Sequence, residues 1–141
     1  MPAARWSSLP SEEDYEAAHR YLSLLLATPR VDAALELLRA APSRTWPAEA
    51  VLRAARLPRL KRKRSAEVAA AVRRIDAGTP LSPLLLIHDG RGRLEIADGY
   101  HRACAAMTAR SGAEVAACLA LLPDMTAQAV TARFVRTPAR H

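Results

Sequence analysis

Aromatic side chains are scarce in this chain: tryptophan, tyrosine and phenylalanine together make up 4% of its 141 residues. Hydrophobic residues still reach 50%, and alanine carries much of that share. Side chains this small imply closely packed helices and a modest core. No apolar run approaches the ~20 residues that a membrane-spanning helix needs. The segment Met1-Pro2-Ala3-Ala4-Arg5-Trp6 lacks an apolar signal core, and an acidic cluster follows it. Together these absences predict a cytoplasmic protein with no membrane partner. Cysteine is limited to Cys104 and Cys118, each set among alanines. Reduced, buried thiols are expected there, not a disulfide. No internal repeat is present.

What the chain does have is positive charge. The formal net charge is +7, which favours anionic partners such as nucleotides, nucleic acid or an acidic protein. The charge is concentrated in one run: Arg53, Arg56, Arg59, Lys61, Arg62, Lys63 and Arg64, followed by Arg73 and Arg74. Arg59, Lys61, Arg62, Lys63 and Arg64 suit contact with the phosphate tail of a nucleotide or with a nucleic-acid backbone. No aromatic residues interleave with them, so base stacking on single strands is not expected.

A length of 141 residues fits one domain with a real core. Two unlike parts are predicted, an all-helical N-terminal segment over residues 1–55 and an α+β part over 56–141. In the first, Ser11 with Asp14 matches a capping box, and Tyr15, Ala18, Leu22, Leu25 and Leu26 follow at helical spacing. Thr28-Pro29 starts a second helix that carries Ala34, Leu35, Leu37 and Leu38 and ends near Pro42. Thr45-Trp46-Pro47 is read as opening a third, short helix through Val51 and Leu52. This segment, from residue 12 to 55, serves either as a docking module for a protein partner or as a cover for the second part.

The second part alternates in type. Ser65 caps a helix bearing Val68, Val72 and Ile75, closed by Gly78. Leu84 to Ile87 is a continuous apolar run, as expected of a buried strand. Asp89-Gly90-Arg91-Gly92 is a hairpin turn, and Arg93 to Ala97 the returning strand. A helix follows from Tyr100 and stops at Ser111-Gly112. Val115 to Leu121 forms another strand, and a last helix is expected around Ala129, Val130 and Phe134, with a frayed tail from Thr137. The predicted fold is a small mixed sheet with packed helices.

Asp98-Gly99-Tyr100-His101-Arg102 sits at the strand-to-helix junction of this part. Gly99 allows a sharp turn there. The first amides of the helix, with the positive end of its dipole, form a natural anion site. His101 adds a switchable cation and Arg102 a permanent one. Phosphate suits the arrangement. Arg102 would hold phosphate oxygens in a fork, His101 would bind phosphate or act as a general acid–base, and Asp98 would hold magnesium or accept a proton. Glu67 and Glu95 are two further carboxylate candidates, between which the spacing does not choose. His88 and His101 have no Cys or carboxylate at a recognisable ligand spacing, so no transition-metal site is expected.

The order of elements from roughly Arg56 to Leu122 resembles the ParB/sulfiredoxin superfamily. Leu81-Ser82-Pro83-Leu84-Leu85-Leu86-Ile87 and Ile96-Ala97-Asp98-Gly99-Tyr100-His101-Arg102-Ala103-Cys104-Ala105-Ala106 carry the likeness. The resemblance implies a small α+β domain that binds a nucleotide, with Gly99, Tyr100, His101 and Arg102 gripping the phosphates. Sulfiredoxins place a catalytic cysteine directly before the His-Arg pair, where this chain has Tyr100, so peroxiredoxin repair is not expected. Chromosome-partitioning members carry Gly-Glu-Arg-Arg and continue into a helix-turn-helix reader. Gly99 and Arg102 match that motif, Tyr100 and His101 do not, and with no room for such a reader expected after Leu122, sequence-specific centromere binding is not expected. The free-serine-kinase branch carries Asp-Gly-His-His-Arg, and here Asp98, Gly99, His101 and Arg102 match. That closest fit implies NTP hydrolysis or phosphoryl transfer with a nucleoside triphosphate and Mg2+, Asp98 and His101 being the catalytic pair. The alternative is a non-catalytic basic module for nucleic acid or an acidic protein.

Overall fold

The structure is a computed structural model that describes residues 2–123. The expected last helix and frayed tail lie outside the described residues. The architecture is mixed α+β, with helices on both faces of a four-stranded sheet. In chain order the elements are α1 (Glu12–Leu22), α2 (Thr28–Ala40), β1 (Ser43–Pro47), α3 (Ala48–Ala55), α4 (Ala66–Asp76), β2 (Leu84–His88), β3 (Leu94–Asp98), α5 (Tyr100–Ala109) and β4 (Glu114–Leu121). A single 3-10 turn, Arg62–Arg64, precedes α4.

The sheet order is β1-β4-β2-β3. β2 and β3 form an antiparallel hairpin, β2 runs parallel to β4, and β1 pairs antiparallel with β4. The Asp89 turn forms as expected, its Oδ1 accepting from the amides of Arg91 at 2.7 Å and Arg93 at 3.1 Å. β1, and a parallel bridge of Trp6 with Leu81 ahead of α1, correct the all-helical reading of residues 1–55. Thr45-Trp46-Pro47 is sheet, and the helix it was expected to open begins one residue later, with Pro47 as N-cap.

Alternation along the strands divides the core in two. Leu85 and Ile87 of β2, with Cys118 and Ala120 of β4, meet α1 and α2 through Leu22, Leu35 and Leu38. Leu84, Leu86, Val115 and Ala117 face the other way, against α3, α4 and α5. The first two helices therefore cover one face of the sheet with their apolar sides. Both cysteines are buried free thiols, and burial pushes the Cys118 thiol up. Among the described residues no helix is long and apolar enough to cross a membrane.

Two local features shape the end of β3. The register jumps from Leu86↔Ile96 to Leu85↔Asp98, so Ala97 is an extra residue and the strand bends just before the turn into α5. Gly99 then takes φ +106°, and a Cβ on it would meet Leu84 Cγ at 2.7 Å and Arg102 Nη2 at 3.0 Å. Glycine at this turn is required by backbone conformation and by packing together.

Candidate functional site

α5 begins without a side-chain cap on its first amides. Helix N-termini in this state attract anions. The side chains around it then divide between two neighbourhoods.

Arg102 turns inward. Its Nε donates to Ser82 O at 2.9 Å, and Nη2 donates to Pro83 O and to Asp98 Oδ2, each at 3.1 Å. Nη1 lies 3.7 Å from Asp14 Oδ1, and the side chain is 19% exposed. Asp14 belongs to α1, where its other oxygen completes the expected capping box by accepting from Ser11 N at 2.9 Å. Burial opposes its ionisation, yet the Ser11 amide, Arg102 and the Ser82 and Ser11 hydroxyls hold its carboxyl below the ordinary range. Asp98 goes the other way: burial outweighs the Arg102 guanidinium, and the neighbouring Asp14 adds to the upward push.

The geometry gives Arg102 and Asp98 protein partners. Arg102 directs its donors at protein acceptors, so it clamps the β3–α5 turn to the Ser82–Pro83 backbone. Asp98 is engaged by that clamp. No group of three or more His, Cys, Asp or Glu side chains that could hold a metal ion occurs among the described residues.

Tyr100 and His101 look toward α4. The Tyr100 hydroxyl donates to Pro58 O at 2.5 Å, and its ring lies 5.5 Å from the His101 ring, tilted by 55°. Burial, then the adjacent Cys104, pushes the phenol up. At the start of α4, Ser65 Oγ accepts from Val68 N at 3.1 Å and meets Glu67 Oε1 at 3.2 Å. Glu67 is held below the ordinary carboxylate range by its own amide, by Ser65 and by the charge of His101. His101 and Glu67 are thus neighbours. The alternative carboxylate, Glu95, instead binds Arg93 at 3.0 Å and the Tyr21 hydroxyl at 2.5 Å. His101 and Asp98, expected as a pair, take different neighbours.

The basic run lies against α5. Tyr100 holds Pro58, Leu60 N donates to Cys104 Sγ at 3.3 Å, and Arg59 Nη2 reaches Met107 O at 3.4 Å. Beyond these contacts Arg59, Lys61, Arg62, Lys63 and Arg64 surround a hollow of about 370 Å³ with Thr108. All five are exposed, and none forms an ion pair among the described residues. Sequence reasoning missed Ser82 and the second role of Asp14. Asp14 reads as a helix cap and nothing in its spacing announces a tertiary partner.

No family model matches this chain, and neither a curated protein nor a solved structure matches it.

Proposed function

We propose that this chain binds the phosphate groups of a nucleotide between the basic segment 59–64 and the start of α5, as a ParB/sulfiredoxin-like domain would. One observation carries the reading. Two features far apart in sequence, each suited to phosphate, share one helix: the basic segment runs along α5 from Tyr100 past Cys104 to Met107, and its hollow opens at Thr108, about two turns or roughly 12 Å from the first amides. The uncapped amides of α5 supply directed donors. His101 adds a donor, and a cation when protonated. Arg59 and the Lys61–Arg64 cluster supply the long-range field. Gly99 and the Arg102 clamp hold the turn in shape. The proposal is binding; no transfer step is assigned, because Asp98 is engaged by Arg102.

Calorimetry with ATP, CTP and GTP tests it. Lys61, Arg62, Lys63 and Arg64 changed together to alanine should weaken nucleotide binding at least tenfold, and His101→Ala should weaken it measurably. A wild type that binds no nucleotide, or variants that bind as wild type, overturns the proposal. A saturating nucleotide at 100 times its dissociation constant should also stabilise the fold by about 2.7 kcal/mol.

The exposure and lack of ion pairing of the five cations favour a second reading, a duplex nucleic-acid backbone. In that case binding falls with salt at about −0.9 in log–log slope per phosphate. The four-alanine variant then loses DNA, while His101→Ala behaves as wild type.

A further inference from the structure

A cleft bordered by α3 and the β2–β3 hairpin takes no part in the site above. Its larger part, a cavity of about 570 Å³, is walled mainly by Trp46, Val51, Leu86, Leu94 and Leu119, with His88 and Arg93 also lining it. A second cavity of about 480 Å³ shares Ala54, Gly92, Arg93 and Leu94 with the first and carries Arg56 on its rim. The two form one trough, apolar at one end and charged at the other. Volumes in this range are those of small-molecule sites.

Arg56 is the unusual residue. It is the only non-glycine residue at positive φ among the described residues, at φ +58°. It closes α3 there, its amide donating to Arg53 O at 3.0 Å while Leu57 N reaches Leu52 O at 3.0 Å. Glycine is the usual occupant of such a helix end, and a side chain in the left-handed region is strained. The arginine side chain has no hydrogen-bond or ion-pair partner among the described residues. The carboxylates of the trough are engaged elsewhere, Asp89 by the two hairpin amides and Glu95 by Arg93 and Tyr21. Arg56, Arg91 and Arg93 outnumber the carboxylates Asp89 and Glu95, so the trough carries a net positive charge to which Arg56 contributes from the rim.

We propose that this trough binds a small amphiphilic anion, with its aromatic or short aliphatic body against Trp46, Val51 and Leu119 and its carboxylate on Arg56. Burial of the body supplies affinity, and the guanidinium selects carboxylate over neutral or cationic analogues.

The test is calorimetric titration of the full chain with naphthoate, naphthalene methanol and naphthylmethylammonium. Naphthoate should bind at least tenfold tighter than the other two. Arg56→Gly accepts the same backbone and keeps the fold, and should reduce naphthoate to the affinity of the alcohol. Ala54→Trp, at an exposed position, fills the trough and should abolish binding of both. Equal affinity for the three probes overturns the proposal. So does a preference that survives Arg56→Gly, or binding that survives Ala54→Trp.

Discussion

The guanidinium of Arg102 joins three parts of the chain: the Ser82–Pro83 backbone, the end of β3 at Asp98, and α1 at Asp14. Removing it would leave two carbonyls and a largely buried carboxylate without their donor. Losing one partner of such a group costs more than the group is worth when intact. Arg102→Ala should therefore lower unfolding free energy by roughly 2–4 kcal/mol in urea titration, and the Lys variant should recover only part, since it cannot fork. If Arg102→Ala unfolds at the wild-type urea midpoint, the clamp is not structural. The inward course of this side chain was not legible in the sequence. Its carbonyl acceptors lie 20 and 19 positions away, and its acidic neighbour is on a helix near the N-terminus. The start of α5 and the need for Gly99 were legible, because a strand-to-helix turn is a local event.

α1 and α2 act as the cover of one sheet face, and their interior side is fully committed to it. Leu38 has no exposure and packs in the cluster with Leu85 and Ile87. Leu38→Ala should cost about 3 kcal/mol through lost transfer free energy and the cavity left behind. A thermal or urea midpoint unmoved by this change would show that α2 does not stabilise the sheet. Caps and apolar periodicity made these helices legible: Ser11, Pro29 and Ser65 each sit where a helix begins. The strands β2, β3 and β4 were legible for related reasons, an apolar run or a Gly-rich turn. β1 was not. Ser43–Pro47 is an edge strand whose burial does not alternate, its partner β4 begins 67 residues after it ends, and Trp46-Pro47 is a good helix start in its own right. The bulge at Ala97 also has no sequence mark, since it is defined by the pairing partner.

Across the whole molecule, the Asp14–Arg102–Asp98 cluster ties the helical cover to the sheet, and it gives stability a pH signature. Asp14 is held below its ordinary value, so its contribution is present above the usual carboxylate range and is lost as pH falls through the lowered value. Asp98 is raised, mainly by burial, so its contribution is present at low pH and is lost as pH climbs through the raised value. The pair opposes itself on either side of about pH 4. Asp98→Asn should flatten the loss of stability above that point, and Asp14→Asn the loss below it, in urea midpoints measured from pH 3 to 7. Identical profiles for wild type and both variants would refute the assignment. The strand order has a consequence for how the chain is made. β4, latest of the four to emerge from a ribosome, is inserted between β1 and β2. Until residues 114–121 arrive, both of those strands present open hydrogen-bonding edges, and Leu84–Ile87 forms a sticky template for other chains. Biogenesis of this protein should consequently lean on co-translational shielding by a holding chaperone, and nascent chains stalled before the insertion should aggregate.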